Sequence, residues 1–185
     1  MIANQEADYY DACFMIMRFF IHFRNEHANL SKESKFDSVM SSIVIWECYP
    51  RLLLTVQQSA IDYIGNFFAI VDAYLNCDAQ GMVNRMYEGK SYLAMLFSFV
   101  NECLFDPELD VTEQGYAVGI LMIIIHYCYP TMDSVLEPCV QIIQKFLGIL
   151  EQKIQTYMYD QEEEETVREY YLEITRNCVV SIVIV

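Results

Sequence analysis

The residues whose types could do chemistry are three histidines, seven cysteines and one run of acids. His22 and His27 miss the i, i+4 spacing that sets two imidazoles on one helix face over a zinc ion. His126 ends an apolar stretch, where a helix-end or core role fits better than proton transfer. The cysteines are Cys13, Cys48, Cys77, Cys103, Cys128, Cys139 and Cys178, and no two stand at C-x-x-C spacing. Zinc sites and disulfide frameworks cluster their cysteines, so these are expected to be buried thiols of a reducing compartment. There is no Gly-rich phosphate loop and no G-x-S-x-G elbow. The expectation is a non-enzymatic protein with no catalytic residues, no metal ligands and no cofactor. An all-α enzyme would need polar groups converging in a deep pocket, and the sequence offers no such set.

The acid run is Asp160-Gln161-Glu162-Glu163-Glu164-Glu165. It lacks the alternation and the glycine of an EF-hand loop. Carboxylates in one run cannot face each other across a cleft as a glycosidase pair does. Two compatible uses remain. Acids favour the positive end of a helix dipole, so the run can start a helix. Asp160, Glu162, Glu163, Glu164 and Glu165 can also dock a Lys/Arg-rich partner. The whole chain has 26 acids against 11 bases, a net charge of -15. That balance suits basic partners and leaves no basic footprint for direct nucleic-acid binding.

The elements that hold these residues are expected to be helices. Of 185 residues 55% are apolar, enough for a packed core, while only 6 Gly and 4 Pro are present to make turns. Mean hydropathy is +0.20. The longest apolar stretch, Tyr116 to Tyr129, falls short of the roughly 20 residues of a membrane span. The β-branched tail Val179 to Val185 is shorter still, and no membrane association is expected. Met1 to Asp11 is polar and acidic, unlike a secretory leader.

Apolar residues recur every three or four positions. Ile61, Ile64, Phe68, Val71 and Leu75 predict a helix over about 57–76. Leu93, Leu96, Phe97, Val100 and Leu104 predict one over about 90–105, and Ala117, Ile120, Leu121, Ile124 and Cys128 one over about 112–129. Leu136, Val140, Ile143, Leu147, Leu150 and Ile154 mark a long helix over about 132–159. Val167, Tyr171, Ile174 and Cys178 mark another. Val39, Ile43 and Trp46 lie on a helix that Pro50 is expected to bend or break. Phe14 to Phe23 reads as a further helix. Asp110 with Glu113, and Asp160 with Glu163, have capping-box spacing. A short helical turn is expected around Met82 to Tyr87. Gly115 and Gly119 are spaced to let two helices touch closely. Expected helix starts near 57, 112 and 163, and near 36, 89 and 132, form two series. Together they suggest a helix–turn–helix unit repeated three times, of the HEAT or armadillo kind. The organisation expected is an N-terminal helical segment over 1–35 and an all-α, HEAT-like α-solenoid of about three antiparallel helix pairs over 36–185. A single closed bundle with a groove for a partner helix is the alternative.

The stretch Trp46-Glu47-Cys48-Tyr49-Pro50-Arg51-Leu52-Leu53-Leu54-Thr55-Val56-Gln57-Gln58, followed by Ile61-Asp62-Tyr63, resembles the C-terminal half of importin-β superfamily receptors of the importin seven and eight type. Ser91-Tyr92-Leu93-Ala94-Met95 and Pro138-Cys139-Val140 are also similar in position, and the likeness covers roughly 39–180. The resemblance implies a karyopherin segment: a HEAT-repeat solenoid that carries protein cargo through nuclear pores and shuttles between cytoplasm and nucleus, with the small GTPase Ran controlling release. Family members are several times longer, so the resemblance implies that this chain is a segment. Contacts with Ran and with nucleoporins would then fall mainly outside it. The acid run is not equated with the family's own acidic insertion.

Overall fold

The computed structural model describes residues 10, 12–18, 21, 35–128, 133–159, 172 and 176. His22, His27, Cys178, the tail after it and the acid run Asp160 to Glu165 lie outside the described residues. So does the second capping box. Of the helix expected around Val167 to Cys178 only Leu172 and Arg176 are described, and both are helical.

The described chain is mostly helical, as an all-α class requires. In order it forms helix α1 (residues 12–18), α2 (Lys35–Ser59), a single 3-10 turn (Ile61–Tyr63) and α3 (Ile64–Asn84). A two-stranded hairpin follows, β1 (Met86–Tyr87) against β2 (Lys90–Ser91). Then come α4 (Tyr92–Phe105), α5 (Val111–Cys128) and α6 (Asp133–Tyr159). The chain forms two compact units, Met1–Phe99 and Val100–Val185, and the division falls within α4.

In the first unit α2 runs through Pro50 without a break. A mid-helix proline removes one backbone hydrogen bond and costs about 3 kcal/mol. Trp46, Tyr49, Leu53 and Val56 are all buried on that helix, and burying side chains of this size offsets the loss. The break comes instead at Ala60, after the exposed polar trio Gln57-Gln58-Ser59. Ala60 has left helical geometry (φ -139°, ψ 37°), and the Tyr63 N–H closes the 3-10 turn on its carbonyl. The helix expected to begin near Gln57 therefore begins at Ile64. It packs on α2, with Tyr74 against Trp46 and Tyr49, and it buries Ile64, Phe67 and Val71.

α3 extends past Asn76 to Asn84, with a kink at Asp78 (φ -163°, ψ 77°). Asp78 restarts the helix, because its Oδ1 accepts the Gly81 N–H at 2.8 Å in the manner of an N-cap. Of the helical turn expected around Met82 to Tyr87, Met82 to Asn84 are helical as the end of α3, and the hairpin takes over from Met86. Its two turn residues, Glu88 (φ 49°) and Gly89 (φ 82°), both take positive φ, as a type I′ turn demands. The Ser91 Oγ then accepts the Ala94 N–H at 3.1 Å and starts α4.

In the second unit the first capping box forms as the spacing predicts. The Glu113 N–H donates to Asp110 Oδ1 and the Asp110 N–H donates to Glu113 Oε2, each at 2.9 Å. Such a cap contributes about 1 kcal/mol to α5. α5 packs on α6. The buried stripe of α6 is Val135, Cys139, Ile143, Phe146 and Leu150. It is turned from the expected one: Leu136, Val140 and Leu147 are only half-buried. Gly115 and Gly119 lie on α5 and are half-buried.

Candidate functional site

Two places in the described structure combine charge, burial and spacing in ways that could bind something. The first is an acidic connector in the second unit. Between Lys90 and Lys145 the sequence contains no Lys or Arg. Glu102, Asp106, Glu108 and Asp110 are exposed around the turn from α4 to α5, and Glu113 is half-buried beside them. Part of this chemistry is local. Asp106 Oδ1 accepts the Glu108 N–H at 2.9 Å, and Asp110 and Glu113 make the capping box. The buried Gln114 amide donates from Nε2 to the Asp106 carbonyl at 3.3 Å, which ties the connector to α5. The connector is therefore held in shape while its charges stay in water. The one lysine here, Lys145, lies over the Phe105 ring, with Nζ 3.8 Å from the centroid.

The second place is an aromatic box in the first unit. Trp46 and Tyr49 come from α2, Tyr74 from α3 and Tyr92 from the first residue of α4. Their ring centroids close a circuit: Trp46 to Tyr74 at 4.9 Å, Tyr74 to Tyr49 at 5.1 Å, Tyr49 to Tyr92 at 5.2 Å and Tyr92 to Trp46 at 6.2 Å. All four residues are buried. The Tyr74 hydroxyl donates to the Ile45 carbonyl at 2.5 Å. Trp46 Nε1 and the Tyr49 hydroxyl are buried with no hydrogen-bond partner, an arrangement that costs about 1–3 kcal/mol for each group. Burial raises the Tyr49 phenol well above its usual value, and the neighbouring Tyr74 and Tyr92 add to the effect. Burial raises Tyr92 as well, with Arg85 pulling the other way.

Arg85 closes the box. Its Cζ stands 4.0 Å from the Trp46 ring centroid, and its Nη1 donates to Asp78 Oδ2 at 3.1 Å. The backbone is shaped around this pair. Gly81 has no side chain where a Cβ would strike both the Arg85 guanidinium and the Asp78 carboxylate. The Arg85 N–H donates to the Gly81 carbonyl, and the Arg85 carbonyl accepts the Tyr92 N–H at the base of the hairpin.

Among the described residues no group of three His, Cys, Asp or Glu could hold a metal ion. His126 is exposed in the last turn of α5, with its ring against Tyr127. Cys103, Cys128 and Cys139 are buried, whereas Cys13, Cys48 and Cys77 are half-buried, so the expectation of buried thiols holds for three of the six described. Burial pushes the thiols of Cys103 and Cys139 up to about 12 and that of Cys128 to about 11, the opposite of an activated nucleophile. No helix among the described residues is long and apolar enough to cross a membrane.

No family model, no curated protein and no solved structure matches the chain. The sequence-predicted contact residues, Asp160 and Glu162 to Glu165, are outside the described residues. The connector and the box were not singled out from sequence. The connector had a readable signal in the absence of Lys and Arg from Ser91 to Gln144. The box had none, because its members come from three helices.

Proposed function

We propose that this chain is a non-enzymatic helical scaffold that binds basic protein partners. The observation that carries the reading is the acidic connector. It presents exposed carboxylates on a locally fixed turn, within a stretch free of Lys and Arg, on a chain of net charge -15. Such a surface attracts cationic partners from a distance and selects against acidic ones. The acid run Asp160 to Glu165 extends the same chemistry along the sequence.

The finer reading is a HEAT-like solenoid segment of a nuclear import receptor, with basic cargo as the partner and Ran and nucleoporins engaged by other parts of a longer protein. Its support is the resemblance around Trp46 to Tyr63, together with consecutive helices that pack in pairs, α2 with α3 and α5 with α6.

The test compares capture of the purified chain on an immobilised Lys/Arg-rich peptide with capture of two variants. One variant carries Glu102→Gln and Glu108→Gln, which spare the capping box. The other carries Asp160→Asn with Glu162 to Glu165 each changed to Gln. Salt-sensitive capture by the wild type, weakened in either variant, is the expected result. Capture that neither salt nor either variant alters would sink the proposal.

A further inference from the structure

We propose that the Trp46 aromatic box is a recognition site for an arginine side chain, and that Arg85 is its resident occupant, exchangeable for an arginine of a partner. The site displays its own ligand class. A guanidinium rests on the face of Trp46 and is gripped by the Asp78 carboxylate, the two contacts that recognise arginine elsewhere. The occupant is the outermost layer. The Arg85 and Asp78 side chains are 36% and 37% exposed, whereas Trp46 is 3% exposed. Moving Arg85 away would therefore open the ring face to solvent while the rings behind it stay packed.

The hold on Arg85 is weak enough for exchange. An ion pair this exposed contributes little, and a cation–π contact at the surface adds only modestly. Gly81 keeps room for the guanidinium and the carboxylate together, so the pocket is formed by the backbone and not only by Arg85. Arg85 ends the kinked stretch of α3 and leads into the hairpin, and its backbone bonds to Gly81 and Tyr92 would survive a swing of its side chain. The occupant we commit to is arginine, on the precedent of the residue already there. The inference does not depend on the acidic connector.

The chain has a single tryptophan, so Trp46 fluorescence reports this site alone. The experiment titrates the full chain with N-acetyl-arginine amide, and with the neutral isostere N-acetyl-citrulline amide as control. Arg85→Ala removes the resident competitor. It is expected to show a saturable change with the arginine probe, at least about tenfold tighter than wild type, and none with citrulline. Adding Asp78→Asn to Arg85→Ala is expected to weaken that binding. A folded Arg85→Ala with no saturable response, or with equal responses to the two probes, overturns the proposal. Should Arg85→Ala not fold, Arg85→Gln keeps the length of the side chain and the same outcomes apply. Should neither fold, the wild type at high probe concentration decides between a response to arginine alone and no response. No macromolecule is present in this titration. Its failure would leave the basic-partner reading standing, and a failure of capture by the connector would leave this site standing.

Discussion

Replacing Tyr74 by alanine is expected to destabilise the first unit by about 3–5 kcal/mol, the cost of truncating a buried aromatic and leaving a cavity. Tyr74 is 1% exposed and lies between Trp46 and Tyr49 at 4.9 and 5.1 Å. Alanine would remove two ring contacts at once and leave the space between α2 and α3 unfilled. Tyr74→Phe keeps the ring and loses the bond to the Ile45 carbonyl, so its expected cost is about 1 kcal/mol. Urea unfolding followed by Trp46 emission measures both, because the reporter touches the altered residue. Equal effects of the two variants would show that the hydroxyl, and not the packing, holds the box together.

The second large effect is in the thiols of the second unit. Cys103, Cys128 and Cys139 are expected to resist iodoacetamide near pH 8 in the folded chain, reacting at least about a hundredfold more slowly than the same thiols in denaturant. Their folded values of about 11 to 12 compare with 9.0 for an unperturbed thiol, so almost none is thiolate at neutral pH, and burial also bars the reagent. Mass spectrometry of the labelled peptides gives each rate separately. Fast labelling of Cys128 and Cys139 in the native chain would contradict the packing of α5 on α6, and fast labelling of Cys103 would contradict the burial of that thiol on α4. The same shifts set a pH dependence. Each group binds its proton more tightly when folded, so the stabilisation is whole below 9.0 and is lost as pH rises towards 11 to 12. The second unit is expected to weaken across that window.

What could be foreseen from the sequence follows from how local each cause is. The capping box of Asp110 and Glu113 needed only two residues three apart, and it forms. The limits of α5 and α6 were also legible, since each is a long apolar repeat between clear stops. Pro50 does not break α2, because its cost is local while the compensation, burial of Tyr49 and Leu53 against other elements, is tertiary. The hairpin was missed because Glu88 is not a residue that favours positive φ, which left Gly89 as its lone signal. The stripe on α6 is phased differently from the expected one because Cys139 and Phe146 join Ile143 and Leu150 on the buried face, while Leu136, Val140 and Leu147 flank it. The Trp46 box was beyond reach, since nothing in the chain order says that Tyr74 and Tyr92 meet Trp46 and Tyr49. Of the residues that carry the family resemblance, Trp46, Tyr49 and Pro50 are buried, whereas Gln57, Gln58 and Asp62 are exposed, so only the first part of that motif works as core in this fold.

The central claim is attraction of basic partners by the acidic surface, and its most direct measurement is the affinity of the full chain for an arginine-rich peptide across a salt series. The account predicts binding that weakens at least severalfold between about 50 and about 300 mM salt, as exposed charges are screened over a shorter distance. It also predicts no binding of an acidic peptide of equal length. Affinity that is flat across the salt series, or equal for the two peptides, would contradict it.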